Sequence, residues 1–66
     1  MISSYDYYGQ INQKTGKEDG IGRRCWMNGG IEEGIFADGQ PHGYCREIFK
    51  DGSYFEGIWK DGWRNG

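Results

Sequence analysis

In Phe55-Glu56-Gly57-Ile58-Trp59-Lys60-Asp61-Gly62-Trp63-Arg64-Asn65-Gly66, an aromatic and β-branched segment runs into a Lys-Asp-Gly turn signal. Its glycines, Gly57, Gly62 and Gly66, stand five and four residues apart, and Gly34, Gly39 and Gly43 repeat those gaps 23 positions earlier. Gly29 to Gly34 and Gly52 to Gly57 are both five apart, again offset by 23. Self-similarity at one fixed period marks stacked supersecondary units, each too small to bury its own apolar face.

Working back from the C-terminal copy, Glu32-Glu33-Gly34-Ile35-Phe36-Ala37-Asp38-Gly39-Gln40-Pro41-His42-Gly43 is the preceding one, continued by Tyr44 to Gly52. The first copy is looser: Tyr7-Tyr8-Gly9-Gln10-Ile11, then Gly16, Gly20, Gly22 and Gly29. Gly9 to Gly34 is 25 residues rather than 23, and Gly9 to Gly16 is seven where the other copies have five. The surplus reads as a two-residue insertion in the loop Asn12–Lys17, since insertions in repeat arrays map to loops. The chain divides into residues 1–30, a degenerate first repeat or cap, 31–53, a second repeat, and 54–66, a truncated third.

Each copy holds two short apolar segments separated by Asn28-Gly29-Gly30, Ala37-Asp38-Gly39, Lys50-Asp51-Gly52 or Lys60-Asp61-Gly62. Asx-Gly between apolar segments signals a hairpin, because glycine enters positive φ without steric cost. Segments this short suit strands better than helices. Strands are predicted near 5–11, 21–27, 31–36, 43–49 and 54–59, with a sixth beginning near Arg64. Gln40-Pro41-His42-Gly43 reads as a loop. Alternation puts Phe55, Gly57 and Trp59 on one face, with Glu32, Gly34 and Phe36 and then Tyr7, Gly9 and Ile11 in the equivalent places. A glycine row beside a row of rings forms a trough in which aromatics lie over neighbouring backbone. Phe36, Trp59, Phe49 and Trp26 are expected to pack the array.

The pattern Tyr/Phe-Glu-Gly-x-Trp-Lys-Asp-Gly-x-Arg-x-Gly, carried by Phe55–Gly66, resembles the MORN repeat (membrane occupation and recognition nexus). Residues 32–54 fit it except that Cys45 replaces a glycine and Glu32 an aromatic; residues 7–31 fit through Gly9, Gly20, Gly22, Gly29 and the apolar slots. The resemblance implies an all-β fold, an elongated single-layer antiparallel meander of β-hairpins. Such repeats are similar to segments of junctional membrane proteins, ciliary radial-spoke proteins, plant-type lipid kinases and a lysine methyltransferase. In those enzymes they lie outside the catalytic domain.

Composition narrows the function classes. Eight basic and ten acidic residues give a net charge of −2 with no basic stripe, which does not point to nucleic acid. No apolar run approaches the ~18 residues of a membrane span, and Ser3, Ser4 and Asp6 interrupt any signal-peptide-like start. Cys25 and Cys45 are too few for a disulfide scaffold, and their repeat slots differ by an odd offset that puts them on opposite faces. They read as reduced thiols of an intracellular protein, cytoplasmic or cytoskeletal and ciliary.

No catalytic set emerges. His42 is the only histidine and reads as a loop residue; a zinc site needs further ligands. Glu32 and Glu33 are adjacent, so they alternate to opposite faces and do not form a paired-carboxylate site. Gly20-Ile21-Gly22 lacks the lysine and helix of a phosphate loop. Neither an enzyme activity nor a cofactor is expected.

The chain therefore reads as a non-catalytic interaction or scaffold subunit of a larger assembly. Tyr54 and Trp63 are the candidates for exposed contact, and Phe36 and Trp59 for contact on the trough side. Strand 54–59 would be an open edge able to accept a strand from another chain. Two alternatives stand beside this. One is a membrane phospholipid-headgroup adaptor using Lys14, Lys17, Lys50, Lys60 and Arg64, most of which have an acidic neighbour. The other is the regulatory N-terminal segment of a larger enzyme.

Overall fold

The computed structural model describes residues 4–65; Ser3 and the repeat glycine Gly66 lie outside them. Six strands follow one another as β1 (Tyr5–Ile11), β2 (Glu18–Trp26), β3 (Ile31–Ala37), β4 (Gln40–Ile48), β5 (Tyr54–Lys60) and β6 (Trp63–Arg64). Their order in the sheet is their order in the chain, and every neighbouring pair is antiparallel. The fold is the all-β meander that the resemblance to the MORN repeat implies, one sheet measuring 36 × 29 × 20 Å in its principal extents.

Two kinds of turn alternate along it. Asp38-Gly39 and Asp61-Gly62 form two-residue turns in which both residues have positive φ, 54° and 86° in the first and 52° and 88° in the second. That is the hairpin turn whose twist matches the flanking strands. The intervening turns are wider. Gly29 N–H donates to the Trp26 carbonyl, and Gly52 N–H to the Phe49 carbonyl. The side chains of Asn28 and Asp51 each accept an N–H two residues on, from Gly30 and Ser53. The β1–β2 loop occupies the predicted insertion: Asn12 Oδ1 accepts the N–H groups of Lys14 and Thr15, and Asn12 N–H donates to the Lys17 carbonyl.

Four sequence expectations change. β2 begins at Glu18 and β4 at Gln40, about three residues earlier than expected. β2 resumes pairing early with Glu18 opposite Ile11, and at β4 the tight Asp38-Gly39 turn lets pairing resume at once with Ala37 opposite Gln40. His42 is accordingly a strand residue rather than a loop residue, and its Nδ1 accepts the Asp61 N–H at 3.3 Å. Phe49 is exposed, not packed, because the chain leaves the sheet there: its N–H closes the turn onto the Ser53 carbonyl. The edge of β5 is also partly covered. Trp59 and Lys60 pair with Arg64 and Trp63 of β6, and Asn65 N–H donates to the Ile58 carbonyl.

The sheet's two faces differ sharply. Gly22, Gly34, Cys45 and Gly57 line up across β2–β5 on the covered face. Gly34 adopts φ +144°, and a Cβ there would strike the Tyr44 carbonyl and lie 2.6 Å from Cys45 Cα. That close approach lets β4 bulge beside it, between Gly34 and Phe36. Among the described residues, Phe36 and Cys45 (each 1% exposed) and Trp59 (6%) form the buried core, with Pro41 buried beside them. Tyr7 meets Phe36 edge-on at 5.5 Å between centroids, and Phe55 meets Trp59 at 6.2 Å.

Candidate interaction face

The covered face is closed by a charge. Arg24, only 7% exposed, sits opposite Tyr7 on one side and Glu32 on the other. Its Nε donates to Glu32 Oε1 at 2.8 Å and its Nη1 to the Gly39 carbonyl at 3.0 Å. The guanidinium carbon lies 4.8 Å from the Tyr5 ring centroid, 5.0 Å from that of Trp26 and 5.2 Å from that of Phe36. Trp26 Nε1 donates to the same Glu32 oxygen at 2.9 Å. Burial pulls against the guanidinium charge, but the hydrogen bond and charge of Glu32, together with Tyr5, outweigh it and raise the Arg24 pKa. Tyr5 in turn donates to Glu18 Oε2 at 2.6 Å, and that bond, with burial, raises its phenol pKa.

Glu47 continues this row without such a partner. It stands opposite Glu32 on β3 and Phe55 on β5. Burial, then the charge of Glu32, raise its carboxyl pKa, with Arg64 pulling the other way. The Arg64 guanidinium itself lies over the Phe55 ring, 4.8 Å from the centroid. Cys45 Sγ donates to the Ile35 carbonyl at 3.0 Å, and burial pushes its thiol pKa up.

Phe36 and Trp59 therefore form the core of the sheet. They were expected both to pack the array and to offer contact on the trough side; Arg24 and Tyr7 lie against the Phe36 ring and Phe55 against that of Trp59, and both residues are buried. Tyr54 (61% exposed) and Trp63 (77%) do reach solvent. By strand alternation both lie on the other face: Tyr54 pairs with Ile48, and Trp63 with Lys60.

That other face carries three parallel rows. The central row is Arg23, Glu33, Arg46 and Glu56, one residue from each of β2 to β5 in direct register, with Tyr8 of β1 at its end. Arg46 Nη2 lies 3.1 Å from Glu33 Oε1, Arg23 Nη2 lies 3.7 Å from Glu33 Oε2, and Tyr44 Oη donates to Glu56 Oε2 at 2.8 Å. On one side stand Ile21, Ile35, Tyr44 and Ile58, all exposed. On the other stand Cys25, Ile31, Ile48 and Tyr54, again in register. A shallow groove of about 640 Å³ runs over Tyr8, Arg23, Glu33, Tyr44, Arg46 and Glu56.

Comparison with known proteins fits this architecture. The family model for the MORN repeat matches three adjacent stretches, residues 15–31, 33–54 and 55–66. The chain belongs to the MORN repeat family. No curated protein and no solved structure matches it significantly. MORN repeats commonly serve as modules for interaction with proteins or membranes, and the family is in general non-catalytic. Among the described residues of this MORN array, no cluster of three or more His, Cys, Asp or Glu side chains could hold a metal ion, and no helix is long and apolar enough to cross a membrane.

The sequence reading named Tyr54 and Trp63 for exposed contact and Phe36 and Trp59 for the trough; Tyr54 stands in one of the three rows, but the rows themselves were not read. The signal was present in the period. Arg23 and Arg46 are 23 residues apart, as are Glu33 and Glu56, Ile35 and Ile58, and Ile31 and Tyr54. Every second strand thus repeats the same side-chain chemistry on the exposed face.

Proposed function

We propose that this MORN array is a non-catalytic interaction module, a scaffold subunit that holds other protein chains against the exposed face of its sheet. The observation that carries this reading is the apolar content of that face. Ile21, Ile35, Tyr44, Ile58 and Tyr54 are all exposed and flank one charged row. Contiguous apolar surface rimmed by polar groups is the usual mark of a binding surface, whereas scattered single residues are not. A sheet face held by continuous strand pairing also offers a preorganised platform, so little ordering entropy opposes docking.

The lipid-headgroup alternative draws less support. Docking to anionic lipid needs clustered unpaired cations, and the two arginines on this face share Glu33. Lys17 likewise lies 3.4 Å from Asp38.

The test is affinity capture with the full chain as bait, comparing it with Ile35→Lys and Ile58→Lys. Both positions are solvent-exposed, so the circular dichroism spectrum should stay unchanged while specifically captured proteins are lost. Capture that survives both substitutions contradicts the assignment of this face.

A further inference from the structure

We propose that this face takes a second copy of the same chain, docked face to face about a two-fold axis that runs parallel to the strands between β3 and β4. The proposal rests on the reading of this face as an interaction surface and names its occupant.

Charge order along the central row selects the occupant. Across β2, β3, β4 and β5 the central row reads positive, negative, positive, negative: Arg23, Glu33, Arg46, Glu56. A two-fold axis along the strands reverses the order of strands and leaves positions along them unchanged. β2 then lies over β5 of the second copy, and β3 over β4. Arg23 faces Glu56 and Glu33 faces Arg46, so each of the four charges meets its opposite. A two-fold axis along the row keeps the order and sets arginine on arginine and glutamate on glutamate. The row accordingly selects one docking orientation and excludes the other.

The flanking rows obey the same operation. Ile21 meets Ile58 and Ile35 meets Tyr44 on one side; Cys25 meets Tyr54 and Ile31 meets Ile48 on the other. Apolar groups meet apolar groups throughout, in a self-complementary interface of the kind two-fold dimers use.

The pitch points to a second copy over an unrelated partner. Like charges recur on every second strand, about 9.5 Å apart. A partner must offer the opposite charges at that same pitch with apolar rows on both sides, and β2–β5 of a second copy do so. Sheets pack face to face at about 10 Å with a modest crossing angle, within the reach of arginine side chains. The sheet's 36 × 29 Å outline is large enough for the roughly 800 Å² per partner of a standard interface. Within each sheet Arg46 and Arg23 share Glu33 at 3.1 and 3.7 Å, and Glu56 accepts a hydrogen bond from Tyr44. Docking gives Arg23 and Glu56 the counter-charges they lack or share, rather than isolating bare groups.

The decisive experiment is a charge reversal and its rescue. Arg23→Glu alone sets glutamate against Glu56 at both ends of the row, and adding Glu56→Arg restores opposite charges about the same two-fold axis. Co-expressed with two different tags, wild type should capture wild type and the double variant the double variant, while self-capture by Arg23→Glu falls at least about tenfold. Mixed capture of wild type and double variant, which sets like charges together at two of the four positions in either orientation, should fall too. Self-capture by Arg23→Glu equal to that of the wild type, or no recovery in the double variant, overturns the proposal. So does a wild-type chain that light scattering shows to be monomeric at about 100 µM. Should the double variant fail to fold by circular dichroism, Ile35→Lys takes its place. A folded monomer is expected, and a retained dimer overturns the proposal. A wild-type monomer whose captured protein is lost on Ile35→Lys rejects self-pairing but leaves the interaction-face reading intact.

Discussion

Arg24 and Glu32, directly opposite each other on β2 and β3, are joined by a 2.8 Å hydrogen bond beneath the rings of Tyr5, Trp26 and Phe36. The pair closes the covered face of the first repeat. Trp26 Nε1 and the Gly39 carbonyl complete its hydrogen bonds, so three strands and one turn depend on two side chains.

Removing one partner should cost far more than removing both. Arg24→Ala leaves Glu32 half-covered without its counter-charge, and unfolding by urea should show a loss of about 3–5 kcal/mol. Arg24→Met combined with Glu32→Leu removes both charges at similar volume and should come within about 1–2 kcal/mol of the parent, even with Trp26 Nε1 unpartnered. Equal losses for the single and double variants would mean that the rings, not the ion pair, hold this region.

The glycine row predicts a contrast between two sites. Gly34→Ala drives a methyl group into the Tyr44 carbonyl at a φ of +144° and should destabilise by about 2–4 kcal/mol, since neither backbone can yield cheaply. Gly52→Ala sits at φ +94° with open space around it and should cost only about 1 kcal/mol from backbone strain. Chemical denaturation of both variants checks the difference.

Much of this was legible in the sequence, for a definite reason. A repeat writes its turns at fixed intervals, so Asp38-Gly39 and Asp61-Gly62 announced the hairpins, and alternation from them placed Phe36 and Trp59 on the covered face. Arg24 was not legible as a core residue. Beside Arg23 it looks like half of an exposed basic pair, and only the register with Glu32 and the ring of Tyr5 accounts for its burial. Phe49 failed for the converse reason. Its aromatic ring suggested packing, but strand pairing ends one residue before it.

Glu47 should make stability depend on pH in the direction opposite to an ion-paired carboxylate. Burial, then Glu32 across the strand, raise its folded pKa above the unfolded value. In the window between those two values the folded chain binds more protons than the unfolded chain. The stability contributed by protonated Glu47 is therefore lost as pH rises through the folded pKa. Glu47→Gln should thus stabilise the fold at neutral pH by a few tenths to about 1 kcal/mol, through relief of like charges opposite each other. The gain should vanish in acid, below the ordinary glutamate range. Thermal melts across pH 3–8 test this; a Gln variant that is destabilised at pH 7 contradicts it.

The two thiols should report the two faces. Cys45 is 1% exposed, bonded to the Ile35 carbonyl, and raised in pKa by burial, whereas Cys25 is half-buried on the opposite face. A thiol-reactive chromophore should label one cysteine in the native chain and the second only in denaturant. Labelling of both at the same native rate would mean that the covered face is open.

We propose that contacts are made on the face of Tyr44 and Tyr54, over a core of Phe36 and Trp59. Hydroxyl-radical footprinting of the full chain, dilute and concentrated, tests it most directly. Tyr44, Tyr54 and Tyr8 should be modified in the dilute chain and protected on association, with Phe36 and Trp59 unreactive in both. Phe36 and Trp59 reactive when dilute and protected when associated would contradict the account and return the contact surface to the trough.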